Sequence, residues 1–362
     1  MSNKWTTKEI QFLKDNYQIM SAREIAEQIG KSYRSVTSQC EKFGLTKTNK
    51  EAKQQGKDGV SIIKTLKSEL LQLSPNPYKN RFAKTNKEGD TLVVQFTDWH
   101  IGRLVKDEDG AELYNEQIFK NRVEKLLNEI LLLLDAYISK GTPIKDVVIL
   151  STGDILDGMG IFASQATVSE MSPPFQVMLG VEVIKNFMLA LTKRKLQVKF
   201  YGVKGNHGEI RGEGGKQKNP EANWDLMLYL ILSFWSKTII KNPNIEVCYS
   251  ELDYLNLDIQ GWKYHIRHIA PMTPDTPSGK AKFLGWAKKH HSKVIVYGHY
   301  HHYGITDRSG ITIIRGGSMT GADEYSEQLA EESEPIQIIW GVSKNRPTTF
   351  MYAIDLGKRK TK

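Results

Sequence analysis

Three oxygen-donor side chains and four imidazoles, carried in five short motifs, are the residues of this chain best suited to chemistry. In order, the motifs are Asp98-Trp99-His100, Gly153-Asp154-Ile155-Leu156-Asp157, Gly205-Asn206-His207-Gly208, His268 and Gly298-His299-Tyr300-His301. Asp98, Asp154 and Asn206 offer oxygen; His100, His268, His299 and His301 offer nitrogen. That donor set is enough for two divalent ions and leaves His207 free as an acid or base. Two close metal ions and one proton carrier are what in-line hydrolysis of a phosphate ester needs. Each motif alone says little, because an Asp-x-His tripeptide arises by chance and a lone histidine is more often structural. Gly-Asn-His is rarer, with a chance expectation on the order of 0.02 in a chain of this length. The ordered set carries the signal.

Such donors have to be gathered by the elements before them. Residues 92–97 form a β-rich run, 115–139 a long amphipathic helix, and 147–151 a second strand. A helical stretch over 175–193, a third strand over 198–203 and a helix over 223–237 follow. Short strands are expected near Ile245, Leu255, Tyr264, Val294 and Ile311, and a last pair near Ile338 and Thr349. Early β/α alternation followed by mostly β predicts an α/β fold with a mixed sheet or two stacked sheets flanked by helices. Asp98 and His100 follow the first strand, Asp154 the second, and Asn206 and His207 the third. Ligands of open α/β folds collect outside the carboxyl ends of the strands. Gly153, Gly205 and Gly298 are read as permitting the tight turns this needs. The fourth motif is His268 or His265, and His268 is preferred because it ends the run 263–266. Two residues apart on an extended segment, His299 and His301 would share a face. Asp157 reads as a group orienting His207 or a ligand. Arg103 and Lys204 adjoin the motifs and are candidate phosphate contacts, and His302 is a neighbour. His290 and His291 fall at a helix end, where cations suit the dipole.

The first ninety residues are organised differently. They hold 17 Lys and Arg against 10 Asp and Glu, so the remainder of a chain of net charge +9 contributes only +2. A basic arm on a near-neutral body suggests a polyanionic partner. Thr6-x-x-Glu9 and Ser21-x-x-Glu24 are capping boxes that open two helices, and a third spans 32–43. Ile10, Leu13, Ile25, Ile29, Val36 and Phe43 would close a small core, giving a three-helix helix-turn-helix domain over 1–45. The third helix would read DNA through Arg34, Ser35, Thr37, Ser38 and Gln39, with Arg23 and Lys31 beside it. Residues 46–89 read as a linker with one amphipathic helix at Val60, Ile63, Leu66, Leu70 and Leu73, ended by Pro75-Asn76-Pro77. The catalytic body would span 90–356, followed by a basic tail, 357–362. Only Cys40 and Cys248 occur, which excludes a disulfide framework and fits a reducing cytosol. The longest apolar run, 226–232, is too short to cross a bilayer, so a cytoplasmic protein without a membrane partner is expected.

The order D-x-H, GD-x-x-D, GNH, H, GH-x-H over roughly 90–355 resembles the calcineurin-like metallophosphoesterase superfamily. The GH-x-H spelling and the arm look most like its SbcD-type branch of double-strand-break-repair nucleases. The arm itself resembles Myb-like and phage-type helix-turn-helix domains. This resemblance implies a four-layer α/β/β/α sandwich with a dinuclear centre on its rim. It implies that Asp98, His100 and His301 hold one metal, that Asp154 bridges, and that Asn206, His268 and His299 complete the second site. His207 would face the scissile phosphate and serve the leaving oxygen. Mn²⁺ is the expected metal, with Fe, Zn²⁺ and Mg²⁺ as alternatives. The implied activity is hydrolysis of DNA phosphodiester bonds in repair, recombination or phage DNA metabolism, with a homodimer and an ATPase partner as further implications. A phosphatase or cyclic-nucleotide phosphodiesterase, and a non-enzymatic DNA-binding regulator, are the alternatives. Two departures bear on substrate. Gly158-Met159 stands where Ser/Thr phosphatases carry Arg-Gly after the aspartate, and Gly208 stands where these nucleases often carry an acid.

Overall fold

The computed structural model describes residues 5–17, 22–43, 45, 89–139, 143–159, 161, 165–211, 218–269, 276–321 and 334–357. The chain divides into two compact units, Met1–Lys57 and Asp58–Lys362. The expected linker helix and the basic tail beyond Gly357 lie outside the described residues.

The first unit holds α1 (Thr7–Asn16), α2 (Ala22–Ile29) and α3 (Tyr33–Lys42) in chain order. Thr6 and Glu9 form the reciprocal cap that the sequence spells, Glu9 Oε2 accepting from the Thr6 amide at 2.7 Å. The box at Ser21 lies outside the described residues. Gly30, at φ 65°, ends α2 in the left-handed region that a side chain disfavours. Leu13, Ile25, Ala26, Val36 and Cys40 are the buried core, with Ile29 partly buried against it.

The second unit is built from two facing sheets. Two short antiparallel pairs, β2 (Val105–Lys106) with β3 (Glu112–Tyr114) and β6 (Glu209–Arg211) with β7 (Lys218–Asn223), stand apart from them. The first large sheet has the order β15-β14-β1-β4-β5-β8, and the second β12-β13-β11-β10-β9. In the first, β1 (Asp90–Phe96), β4 (Ile144–Ser151), β5 (Gln197–Gly202) and β8 (Ile245–Tyr249) run parallel. Antiparallel β14 (Ile336–Val342) and β15 (Met351–Asp355) complete it. In the second, β10 (Trp262–Arg267), β11 (Val294–Tyr297) and β13 (Ile311–Arg315) run parallel between antiparallel edges β9 (Tyr254–Ile259) and β12 (Gly304–Arg308).

Strand β1 shows why both faces must be apolar. Leu92, Val94 and Phe96 enter the core beneath the helices, while Val93 enters the core between the sheets. A strand covered on both faces cannot alternate apolar with polar. The helical cover comprises α4 (Glu116–Ser139), α6 (Pro173–Thr192) and α7 (Trp224–Phe234), packed through residues such as Phe119, Ile130, Phe187 and Leu228. A short α5 (Gln165–Val168) precedes α6. On the outer face of the second sheet, Phe283 and Ala287 of α8 (Pro277–His290) pack on Ile295 and Ile313. The layers are α/β/β/α, as expected. The helix expected over 223–237 is α7 followed by a π-helical turn, Trp235–Ile240.

Candidate metal centre

Five loops leave the carboxyl ends of five parallel strands, three from the first sheet and two from the second, and meet at one rim. Backbone pairing carries the first two beyond their strands: the amides of Asp98, His100 and Ile101 donate to the carbonyls of Gly153, Asp154 and Ile155 at 2.9–3.1 Å. The second sheet is tied in from above. His299 N donates to Asp98 Oδ1 and Oδ2 at 3.1 and 3.0 Å, and His268 Nδ1 lies 2.8 Å from the Thr152 carbonyl.

The backbone is strained where the donors sit. Asp98, His100, Asp154, His299 and His301 all have φ between 46° and 80°. Left-handed backbone costs a side-chain-bearing residue roughly 1–2 kcal/mol, and such outliers cluster at functional sites. The neighbouring glycines serve close approach. A Cβ on Gly205 would stand 2.0 Å from Asp154 Oδ1, and one on Gly298 would stand 2.1 Å from Thr97 Oγ1. Gly153 alone of the three also needs its own positive φ, +93°.

Beside a cluster of His100, Asp157 and His207, two further groups of donors emerge. Asp98, His100 and His301 offer atoms within 4.8 Å of one another, and so do Asp154, His268 and His299. Asn206 Oδ1 lies 3.0 Å from His268 Nε2, which places it beside the second group. His299 and His301 therefore go to different groups. The extended, same-face geometry expected for them is absent, because both lie in left-handed backbone beyond the end of β11. His265 is elsewhere, bonded to Asn256 through Nδ1 at 2.7 Å and stacked on His290. The structure brings His268 to the cluster, and not His265.

The donor set suits divalent ions. Asp154 Oδ2 is buried and makes no directional hydrogen bond, although His268 Nε2 is 2.9 Å away. His100 Nε2 and His301 Nε2 converge to 3.1 Å, a close approach that a shared cation would reconcile. Behind the rings, Asp157 Oδ1 is a charged neighbour 3.3 Å from His100 Nδ1 without a hydrogen bond, and the Thr152 carbonyl lies 2.8 Å from His268 Nδ1. The hydrogen bond at His268 fixes that ring's tautomer with Nε2 turned inward, as metal-ligating histidines require. Mixed N/O donation admits Mn²⁺, Fe, Zn²⁺ or Mg²⁺.

His207 stands beside both groups. Its amide donates to Asp154 Oδ1 at 2.7 Å, its ring meets that of His100 edge-on, and its Nδ1 is 3.2 Å from Asp157 Oδ1. Asp157 thus backs His100 and His207 together, and Arg103 Nη1 approaches the same oxygen at 3.8 Å. Burial pushes the Asp157 carboxyl up, but the His100 and His207 rings outweigh it and hold it far below the usual range. Burial likewise opposes charge on His207 and His268, and nearby carboxylates win. Asp154 and Asp157 raise His207, while Asp154 and Asp98 raise His268 to about 9. Burial and the neighbouring His268 push His299 down to about 4. Carboxylates and imidazoles here share protons that entering cations would displace.

Several residues that build the site carry no local signal. Asp225, fully buried in the first turn of α7, accepts from the amides of Asp154, Leu156 and Gly205 at 3.0, 3.2 and 2.9 Å. It locks the second motif to the third. Gln337 on β14 accepts from Trp99 Nε1 and from the Thr97 amide, clamping the first motif. Gln165 Nε2 donates to the Asp157 carbonyl at 2.7 Å and lies 3.2 Å from His207 Nδ1. Asn223, whose side chain accepts from the Asp225 amide at 2.9 Å, is the one local signal here, a capping residue type before an apolar run.

Other candidate residues fall as follows. Lys204 Nζ donates to the Glu251 carbonyl at 3.0 Å and pairs with Asp253 at 3.3 Å. His291 is the left-handed cap of α8, and His302 is half-buried in the loop after His301. In the first unit, Arg34 and Ser38 are exposed on α3, with Thr37 and Gln39 half-buried. Ser35 Oγ accepts from Trp5 Nε1 at 3.1 Å, and Lys31 pairs with Glu9 at 3.4 Å. Arg23 lies on α2, and its side chain is outside the described residues.

The profile of the calcineurin-like phosphoesterase family matches residues 91–341, and the chain belongs to that family. It is a metal-dependent phosphoesterase by fold and donor set. No curated protein sequence matches it. Among solved structures it is similar to Vacuolar Protein Sorting 29 of Cryptosporidium parvum, with 16% identity over 74% of this chain and 100% of that one, at a TM-score of 0.34. A novel archaeal phosphodiesterase is similar at 12% identity over 73% and 99%, TM-score 0.32. So is wild-type Vps29 of Entamoeba histolytica complexed with Zn²⁺, at 12% over 74% and 99%, TM-score 0.32.

Proposed function

We propose that this phosphoesterase is a DNA phosphodiesterase, a nuclease of the SbcD-like branch, using Asp98, His100, Asp154, Asn206, His268, His299 and His301 as ligands to two Mn²⁺ ions. The observation that carries the hydrolytic reading is the pair of donor groups with His207 beside them at one rim. Two divalent ions held there would polarise the phosphate oxygens and acidify the attacking water. The protein's part is orientation and proton transfer. With Nδ1 engaged by Asp157, the His207 ring presents Nε2 and can hand a proton to the leaving oxygen, a contribution of about 10²–10⁴ in rate. Arg103, partly exposed beside Asp157, would meet a non-bridging phosphate oxygen.

DNA is favoured as substrate by the first unit: three short helices, an excess of basic residues and exposed Arg34 and Ser38 on α3. In this reading the unit is a helix-turn-helix domain that tethers the enzyme to DNA, with Arg23, Lys31, Ser35, Thr37 and Gln39 supporting the contact. A cytoplasmic homodimer working with an ATPase is the matching assembly. The test is Mn²⁺-dependent cleavage of linear duplex, single-stranded and closed circular DNA, with His207→Asn as control. Cleavage abolished by His207→Asn is expected, and the circular substrate separates endo- from exonuclease action. Hydrolysis of bis-p-nitrophenyl phosphate without cleavage of any DNA would refute the DNA assignment and point to a small diester.

A further inference from the structure

The outer helix of the second sheet carries an unusual charge. Between Thr276 and Lys293 there are five lysines, at 280, 282, 288, 289 and 293, and no Asp or Glu. That stretch alone exceeds the +2 of residues 91–362 together. Gly279, Phe283 and Ala287 form the buried seam of α8, so the opposite face presents Ala281, Lys282, Gly285, Lys288 and Lys289. Among the described residues none of the five lysines enters an ion pair. Helix stability accounts for only part of this. Lys288 and Lys289 complement the dipole at the C-terminal end, whereas Lys280 and Lys282 stand in the first half, where it favours anions.

Gly285 points the same way. A glycine inside a helix is destabilising relative to alanine, and packing is its usual reason. Here nothing lies within 4 Å of where a Cβ would be. The glycine leaves a flat floor between cationic walls, open to close approach from outside. The cationic character continues toward the metal rim. Arg267, the residue before His268, lays its guanidinium over Trp286 of α8 at 3.7 Å. Burial and then neighbouring His290, Arg267 and Lys289 push His265 down to about 3.

We propose that this face of α8 is a docking surface for the sugar-phosphate backbone of nucleic acid, laid across Gly285 between Lys282, Lys288 and Lys289 and leading past Arg267 to the metal rim. It rests on the DNA-hydrolase reading above and adds a phosphate track on the catalytic body itself, separate from the first unit. Regularly spaced anionic charge suits a row of lysines that have no carboxylate partners, and phosphate contacts position a strand without reading its sequence. An anionic membrane is disfavoured, because surface-lying helices bury an apolar stripe. On this face Leu284 is the only large exposed apolar side chain.

The test uses the full chain with two variants, Lys282/Lys288/Lys289→Gln and Gly285→Glu. The glutamate has open space and a good helix former's backbone, so folding is retained while an anion enters the middle of the track. Binding of fluorescent duplex and single-stranded DNA is titrated against salt, alongside hydrolysis of bis-p-nitrophenyl phosphate. We expect the triple variant to bind duplex at least about tenfold more weakly, with a salt slope reduced by about 2–3, near 0.9 per lost phosphate contact. Gly285→Glu should weaken binding similarly, and small-diester kinetics should be unchanged in both. Wild-type slope and affinity in both variants, with wild-type DNA cleavage intact, would overturn the docking surface and leave the nuclease reading standing. Lost binding in the variants of a protein that cleaves no DNA would uphold the surface and sink the nuclease reading. Wild-type protein that binds phosphatidylserine vesicles but no nucleic acid would overturn the proposal.

Discussion

Replacing Asp225 by alanine tests how the second and third motifs are held together. The substitution removes the acceptor of the Asp154, Leu156 and Gly205 amides, all in a fully buried environment. An orphaned buried N–H costs about 1–3 kcal/mol, so three give a loss of roughly 3–6 kcal/mol if water partly re-enters. Against this stands relief of a buried charge. Burial, with repulsion from Asp154 next, pushes the Asp225 carboxyl up to about 7, well above its ordinary 3.8. Because the folded value lies above the unfolded one, this carboxyl's favourable contribution is complete below about 4 and lost as pH rises to about 7. The wild-type advantage over Asp225→Ala in metal-free protein should therefore be about 3 kcal/mol smaller at pH 8 than at pH 5. Urea denaturation of both proteins in chelator at the two pH values measures it, and metal titration of each reports the site. A variant less than about 0.5 kcal/mol weaker at pH 5, or one binding two ions with wild-type affinity, would refute the reasoning.

Four further outcomes follow from the same geometry. Asp157→Asn should slow hydrolysis of esters with alkyl leaving groups about 10–100-fold more than p-nitrophenyl esters, since only the former need the proton that His207 supplies; equal losses in parallel rate assays would contradict that role. Gly205→Ala, whose Cβ would press on Asp154 at 2.0 Å, should cost about 1–3 kcal/mol and leave fewer than two bound ions by elemental analysis. His268→Ala should lose metal while His265→Ala keeps it, because only the former ring reaches the cluster; isothermal titration separates them. Metal affinity should climb with pH up to about 9 as the His268 proton becomes easier to displace, and saturating metal should raise stability by about 2.7 kcal/mol at a hundred times Kd.

The sequence by itself determined the donor set, its order and its place at strand ends, because each motif needs only its own strand and turn to be recognised. It also specified the cap of α1 and, through Leu13, Ile25, Ile29 and Val36, part of the seam of the three-helix unit, whereas Ile10 and Phe43 fall outside that core. It preferred His268 over His265 from its place at a strand end, and the structure brings His268 to the cluster. Three apart, these residues fall on either side of a strand and its end, and only the packing of β10 between β9 and β11 says which side faces the first sheet. The resemblance already divided His299 and His301 between two sites, but it did not foretell the left-handed backbone, in place of the extended segment expected, by which the two imidazoles reach different donor groups. Asp225, Gln337 and Gln165 were invisible for a related reason. Each has a partner far along the chain, 71, 240 and 42 residues away, so their identity as clamps exists only once two sheets and three helices have been stacked. Local chemistry is written in contiguous residues, whereas the buried hydrogen bonds that aim it are satisfied across the fold and are settled by packing alone.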